Sequence, residues 1–185
     1  SEVTITHVQT NVSCFGGSDA TIDLTVVDAT PPFSYLWNTA DTTQDLDSLS
    51  VGVYALVITD SNACQDLYTV TITEPLAPLQ LSADSIHVAC FGDSTGSIDL
   101  SVIGGTPGYA YSWSNGDTLQ DLSNIPTGSY QVFVTDTNAC LDSLTMFIDQ
   151  PIAPIALSAT QVDILCFGDF TGEIDLTVSG GTPAT

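Results

Sequence analysis

The feature of this sequence that most constrains its fold is a repeat with a period of 76 residues. The stretch from Cys14 to Cys64 recurs from Cys90 to Cys140, and it starts a third time at Cys166. The copies align without a gap. A fixed period of this length is typical of a tandem array, in which one small structural unit is built repeatedly along the chain. The 185 residues therefore predict three modules, at 1–75, 76–151 and 152–185, with the third cut short.

Short alternating segments between turn residues predict strands throughout each repeat. In the second repeat, Ile98 and Leu100 lie on one face of a segment whose other face is polar. Turn residues punctuate the chain roughly every 8–12 residues, and no long helical pattern occurs. The sequence therefore predicts all-β modules, each an antiparallel Ig-like β-sandwich. The predicted core anchors are Trp37, Trp113, Tyr54 and Tyr130.

One segment of the repeat allows two interpretations. Leu119, Leu122 and Ile125 lie three residues apart, which suits a turn of helix, but a short edge strand followed by a loop fits equally well. The junctions between repeats, EPLAP and QPIAP, each hold two prolines and no glycine. Proline restricts both its own backbone and the residue before it. We therefore expect semi-rigid, end-to-end stacking of neighbouring repeats.

The cysteines recur with the period and predict one disulfide in each repeat. We pair Cys14 with Cys64 and Cys90 with Cys140, because each pair is 50 residues apart within one module. A bond closing a loop of about 50 residues contributes about 4 kcal/mol in the chain-entropy model, which a small module needs. The partner of Cys166 would fall near position 216, so we expect this chain to be part of a longer array. Disulfides imply an oxidising, extracytoplasmic location.

The alternatives for the cysteines are buried free thiols or a zinc site. A zinc site lacks a CxxC pair, and the only histidines are His7 and His87. These two histidines are not equivalent in the repeat, since His7 aligns with Ala83. Catalytic groups that differ between copies of one module are a poor basis for an enzyme, and the sequence holds no nucleophile, metalloprotease or phosphate-binding motif. We therefore predict a chain with no catalytic residues.

The charge of the chain excludes two classes of partner. It has no Lys or Arg and a formal net charge of −22. Binding to nucleic acid or to anionic lipid depends on cationic side chains, so neither is expected. No apolar run is long enough to span a bilayer, and we expect no direct membrane insertion.

The acidic side chains suggest calcium as the only candidate cofactor. Asp136, Asn138 and Asp93 lie near the cysteine end of the second repeat in sequence and could supply oxygen ligands. The alternative is that Asp in the phrase V-T-D-x-N forms an Asx-turn with its own backbone. Apart from this possible calcium site, no cofactor is predicted.

The repeat as a whole resembles the SprB repeat of Bacteroidetes surface adhesins. The matching elements are the opening CFG turn, G-x-I-D-L-[ST]-V, GGTP-x-Y-x-Y-x-W-S-N-G, L-x-x-G-x-Y-x-V-x-V-T-D-x-N-x-C and the closing QP. Ig-like modules of the polycystic-kidney-disease type share the Trp and Tyr strands and are the second candidate, although they usually lack this cysteine pair. The first repeat departs from the pattern at Asp28–Ala29 and at Ala40, where the second has Gly-Gly and Gly116.

The resemblance implies a very large cell-surface protein exported by the type IX secretion system, in which the repeats form the stalk. We therefore expect a non-catalytic structural segment of an extracellular adhesin or surface filament, acting in adhesion or gliding motility. The expected partners are neighbouring repeats and, through other parts of the protein, an extracellular surface, a polysaccharide or the secretion and motility machinery. The alternatives are a carbohydrate- or protein-binding array and accessory repeats of a secreted hydrolase.

The same resemblance makes O-glycans a further expectation. In Bacteroidetes these glycans attach to Ser or Thr after Asp in a short motif. The matching acceptors here are Thr42, Ser48, Ser85, Ser94, Thr118 and Ser143. The alternating Tyr109, Tyr111 and Trp113 suggest either a sugar-binding platform or core packing, and we favour core packing because each module has a single Trp.

Overall fold

The computed structural model describes residues 4–27, 31–168 and 170–182. Over these ranges the chain consists of strands joined by turns and loops. The departure at Asp28–Ala29 lies outside the described residues. No helix in the described part has the length and hydrophobicity that crossing a bilayer requires.

The first repeat forms two three-stranded antiparallel sheets. One sheet has the order β1-β2-β4 and the other the order β3-β5-β6. The strands are rich in Thr, Val and Ile, which suit a pleated and half-buried surface. Their bounds are β1 (Thr4–Thr10), β2 (Ala20–Val27), β3 (Ser34–Trp37), β4 (Leu46–Leu49), β5 (Gly52–Thr59) and β6 (Gln65–Ile72).

The strand order confirms the predicted Ig-like architecture. The first sheet corresponds to strands A, B and E of an Ig sandwich, and the second to strands C, F and G. A Trp on strand C and a corner Tyr at the start of strand F are further marks of that fold. Trp37 ends β3, and the hydroxyl of Tyr54 in β5 donates a hydrogen bond to the carbonyl of Ser50 at 2.9 Å.

A single apolar core lies between these two sheets. Trp37 is 2% exposed, and its indole Nε1 donates a hydrogen bond to the carbonyl of Thr43 at 2.9 Å. Ile22 and Leu24 of β2 and Leu56 of β5 are almost completely buried against it. These side chains alternate with polar ones along each strand, which is the period of two that the sequence shows. The remaining buried members are Val12, Ala20, Leu46, Leu49, Ile58, Val70 and Ile72.

The second repeat has the same six strands, and the third contributes two. The sheets have the orders β10-β8-β7, β12-β11-β9 and β13-β14. Trp113 and Tyr130 are buried, as is Val132. The strand bounds are β7 (Gln80–Ile86), β8 (Gly96–Ile103), β9 (Ala110–Trp113), β10 (Leu122–Ile125), β11 (Gly128–Thr135), β12 (Leu141–Ile148), β13 (Ala156–Val162) and β14 (Glu173–Ser179).

The segment with two interpretations is a short edge strand. Leu122 and Ile125 both lie in β10, which pairs with β8 through a register shift between Ser123 and Ile125. Their side chains are 2% and 6% exposed. The three-residue spacing of the apolar positions therefore reflects an irregular strand, in which Asn124 takes a positive φ of 55°.

The chain divides into two compact units that differ from the repeats. The first unit consists of Ser1–Leu81, Val102–Ala110 and Val134–Asp142, and the second of the remaining segments through Thr185. The first unit therefore contains the first repeat together with three segments of the second, residues 76–81, 102–110 and 134–142. The domain bounds expected from the period stay a prediction, since repeats and compact units are different divisions of the chain.

Candidate inter-repeat disulfide site

The disulfide in the described part of the chain joins two different repeats. Cys14 is bonded to Cys140, with an S–S distance of 2.02 Å and a Cα–Cα distance of 5.7 Å. Both cysteines belong to the first compact unit. The predicted bonds Cys14–Cys64 and Cys90–Cys140 are therefore wrong, and Cys64 and Cys90 are free and exposed.

The two cysteines of one repeat lie at opposite ends of the sandwich, which is why they do not pair. The amide of Val12, two residues before Cys14, donates a hydrogen bond to the carbonyl of Thr73 at 3.0 Å. Thr73 follows β6, whereas Cys64 directly precedes that strand. The length of the strand puts the two cysteines roughly 25–30 Å apart. A disulfide needs Cα atoms within about 7 Å, so a bond to another repeat is the one that the geometry allows.

The opening turn, Cys14-Phe15-Gly16-Gly17, is fixed by its glycines and by the end of its own repeat. Gly16 has a positive φ of 74°, and the amide of Gly17 donates to the carbonyl of Cys14 at 2.9 Å. The Gly16 amide donates to the Glu74 carboxylate at 2.5 Å. In the second repeat, Gly92 donates in the same way to Gln150. Glu or Gln before the junction proline thus holds the turn that presents the cysteine.

The closing turn, residues 136–140, is organised by Asp136. This carboxylate is buried, with 5% of the residue exposed. Its Oδ1 accepts hydrogen bonds from the amides of Asn138 and Cys140, each at 2.9 Å, and its Oδ2 accepts one from the amide of Thr106 at 2.7 Å. Ala139 has a positive φ of 65°, which turns the chain back toward β12. The predicted Asx-turn is present, and it fixes the orientation of the Cys140 side chain.

A Gly-Gly loop lies between the closing turn and the linker that joins the repeats. The amide of Gly105 donates to the carbonyl of Ala77 in the linker at 2.9 Å. A Cβ atom on Gly104 would lie 1.9 Å from the carbonyl oxygen of Pro78, so no larger residue fits. The side-chain amide of Asn138 completes the junction by donating to the carbonyl of Ser13 at 3.0 Å. The disulfide is therefore surrounded by other contacts at the junction of the two repeats, namely these hydrogen bonds and the close packing of the Gly-Gly loop.

The closing turn of the first repeat has the same geometry without a bond. Oδ1 of Asp60 accepts hydrogen bonds from the amides of Asn62 at 2.8 Å and Cys64 at 2.9 Å. Ala63 takes a positive φ of 62°. The amide of Cys64, followed by that of Asn62, keeps the pKa of Asp60 below its ordinary value of 3.8, because both stabilise the charged carboxylate. The turn is thus formed by its own hydrogen bonds, independently of the disulfide.

The three calcium candidates, Asp136, Asn138 and Asp93, are not arranged as the ligands of one metal ion. Three hydrogen bonds from backbone amides already occupy Asp136, and Asn138 faces the junction through its amide nitrogen. Asp93 lies in the opening turn of the second repeat, where its amide donates to Cys90 at 3.2 Å. Within the described ranges, no three side chains of His, Cys, Asp or Glu come together as a metal site. Calcium binding stays a prediction without support from this geometry.

The histidines, one in β1 and one directly after β7, make hydrogen bonds within their own repeats. Nδ1 of His7 lies 2.6 Å from the hydroxyl of Tyr68, and the two rings pack edge to face. Nδ1 of His87 accepts a hydrogen bond from the amide of Asp149 at 3.1 Å. Among the residues that the structure describes, no group of His, Cys, Asp and Glu forms a ligand set for the zinc alternative.

The aromatic residues in β9 and directly before it belong to the sandwich. Trp113 is 3% exposed, and its Nε1 donates to the carbonyl of Leu119 at 2.9 Å. Tyr109 and Tyr111 are half-buried. A sugar ring stacks on an accessible aromatic face, and the buried indole offers none. The glycan acceptors remain untested: Ser85 is half-buried, and the exposed ones are Thr42, Ser48, Ser94, Thr118 and Ser143.

The comparisons with known proteins agree with the period. The family model of the SprB repeat matches three segments, residues 6–42, 86–118 and 158–184, which together are slightly more than half of the chain. No curated protein matches the sequence. The crystal structure of murine CEACAM1b aligns at 17% identity with a TM-score of 0.34, covering 80% of this chain and 99% of that one. The Ig-like assignment rests on the strand order above. The three matched segments, each holding one opening cysteine, show that the chain belongs to the SprB repeat family, whose repeats occur in surface adhesins.

Proposed function

We propose that this chain is a non-catalytic stalk segment of a large extracellular adhesin or surface filament, acting in cell-surface adhesion or gliding motility. The observation that carries the proposal is the covalent bond between successive repeats, Cys14–Cys140. A bond inside one module would stabilise that module alone. A bond from one repeat to the next supports the connection between them, where a tandem stalk under tension would otherwise separate.

The bond also limits how far force can lengthen the chain. The two cysteines are 126 residues apart in sequence. An extended chain spans about 3.4 Å for each residue, so the bond removes about 430 Å from the length that pulling at the ends can release. Such a segment holds its span even when its sandwiches unfold, which is a useful property in an adhesin stalk.

The surface chemistry suits an exposed and soluble spacer. The chain carries 22 acidic side chains and no Lys or Arg. Like charges of this density oppose self-association, although salt limits the effect to about 8 Å at physiological ionic strength. The absence of Lys and Arg also removes every cleavage site for trypsin-like proteases.

Single-molecule pulling on the oxidised chain tests this function. With handles at both ends and no reductant, we expect unfolding to release only the residues outside 14–140, and a reductant should add about 430 Å of contour length. The Cys140→Ser variant should release that length without reductant, whereas the Cys64→Ser variant should behave like the parent. Release of the full contour length from the oxidised parent would refute a load-limiting role.

A further inference from the structure

We propose that the groove beside Cys90 is the docking site for the closing turn of a following repeat, and that Cys90 forms a disulfide with the cysteine of that turn. By the same rule, Cys64 forms a disulfide with the opening cysteine of a preceding repeat. The inference rests on the proposed stalk function, because it concerns an array of these repeats. It makes Cys14–Cys140 one member of a ladder of bonds, each joining a repeat to the next.

The equivalent groove at the first junction, beside Cys14, shows which residues surround a closing turn once the disulfide has formed. A cavity of about 220 Å³ remains around the disulfide. Its wall combines the opening turn and the linker of one repeat with the Gly-Gly loop and closing turn of the next. The lining residues are Cys14, Phe15, Pro78, Leu79, Gly105, Cys140 and Leu141.

The second junction has the equivalent opening-turn, linker and Gly-Gly residues along its wall, all within the second compact unit. Cys90 and Phe91 take the places of Cys14 and Phe15, and Pro154 takes that of Pro78. Gly181 takes the place of Gly105, and its amide donates to the carbonyl of Ala153 at 2.9 Å, as Gly105 does to Ala77. A Cβ on the preceding glycine would again lie 1.9 Å from a proline carbonyl.

This second groove is larger than the first. Its volume is about 390 Å³. It shares the opening turn, the linker and the Gly-Gly loop with the first groove, and it lacks the closing turn that the first groove receives from the following repeat. The shared lining therefore suits one specific segment, the closing turn with the sequence T-D-x-N-A-C.

The closing turn that would dock in this groove already has its bound conformation before it docks. The turns ending in Cys64 and Cys140 share the Asp-centred hydrogen bonds and the positive φ at Ala63 and Ala139, although only Cys140 is bonded. A closing turn thus brings its cysteine in the orientation seen at the first junction. Little conformational entropy remains to be lost on docking, which favours the bond.

The chemistry requires one disulfide oxidant for each bond, such as oxidised glutathione or a thiol–disulfide oxidoreductase. The Cys90 thiolate attacks the oxidant and releases one thiol, which leaves a mixed disulfide. The thiolate of the docked cysteine then attacks the Cys90 sulfur and releases the second thiol. Two protein thiols are oxidised, and the oxidant disulfide is reduced to two thiols.

An extended chain tests the proposal. Residues 34–75 are appended after Thr185, which completes the third repeat with a cysteine near position 216, and Cys64→Ser makes the new closing peptide unique in mass. After oxidative folding with glutathione, we expect the new cysteine to be linked to Cys90. The number of alkylated thiols should fall from three in the original chain to one, at Cys166.

Two features of the design keep the test decisive. Adding Cys90→Ser to the extended chain should leave the new cysteine free, although Cys166 lies in its own repeat. Pairing of the new cysteine with Cys166, or a free Cys90 in the extended chain, would overturn the proposal. Failure of Cys14–Cys140 to form in the same sample would overturn it too, since that bond is its template. Neither pairing of the new cysteine with Cys166 nor a free Cys90 would affect the pulling test of the stalk function.

Discussion

Removing the bond between repeats should cost the protein much of its stability. The Cys140→Ser change opens a loop of 126 residues. In the chain-entropy model, a loop of that size corresponds to about 5 kcal/mol of unfolding free energy at 25 °C. For a chain of this length, about 5 kcal/mol lowers the melting temperature by roughly 10–20 °C. The Asp136 turn keeps its own hydrogen bonds in the variant, so the loss measures the bond and not the turn.

Urea unfolding of the oxidised variants gives the comparison. Cys64→Ser is the matched control, because Cys64 occupies the same position in the first repeat but is exposed and free. We expect its unfolding free energy to stay within about 0.5 kcal/mol of the parent. Cys14→Ser should match Cys140→Ser, and the double variant should lose no more than either single one. Equal, small losses in Cys140→Ser and Cys64→Ser would refute the reasoning.

Three further changes test the turns around the site. Ala40 has a φ of 69° where the second repeat has Gly116, so Ala40→Gly should raise the unfolding free energy by about 0.5–1 kcal/mol; a loss of stability in thermal melts would contradict this. The pKa of Asp60 is lowered by amide hydrogen bonds, so its stabilising effect is complete above the ordinary value of 3.8 and is lost as the pH falls through the folded value. The melting temperature difference between the parent and Asp60→Asn should therefore be larger at pH 6 than at pH 2, and a difference independent of pH would argue against the turn. Gly104→Ala should lower the unfolding free energy by at least about 2 kcal/mol more than Gly116→Ala does. Both glycines have a positive φ, but only a Cβ on Gly104 would meet the Pro78 carbonyl, at 1.9 Å. Equal losses of unfolding free energy in urea would show that the loop does not need this close approach.

Much of the fold follows from local patterns. Alternation predicts the strands, because one face of each strand is buried, and Trp37 ends β3 with 2% of its surface exposed. The corner Tyr54 follows Gly52 as the Ig pattern requires, and its hydroxyl binds the carbonyl of Ser50. The segment of β10 was ambiguous because a residue with positive φ, Asn124, breaks the strand period.

The cysteine pairing could not be predicted from spacing alone. A period of 76 residues makes every opening cysteine equivalent to every other, so pairing within a repeat and pairing with the next repeat satisfy the same periodicity. What decides between them is the path of the chain. Cys14 follows the first strand and Cys64 precedes the last one, and the hydrogen bond from Val12 to Thr73 shows that these positions are at opposite ends of β6. The order of strands, combined with the Ig topology, is the signal that would have identified the correct pairing.

The most direct test of a bond between repeats is disulfide mapping of the chain as isolated. Cleavage before Asp places every cysteine in its own fragment, namely 1–18, 60–65, 84–92, 136–141 and 163–168. Free thiols are blocked first at acidic pH, and linked fragments are then identified by mass before and after reduction. The account predicts that 1–18 is linked to 136–141 and that the other three fragments carry the blocking group. Linkage of 1–18 to 60–65 would contradict it.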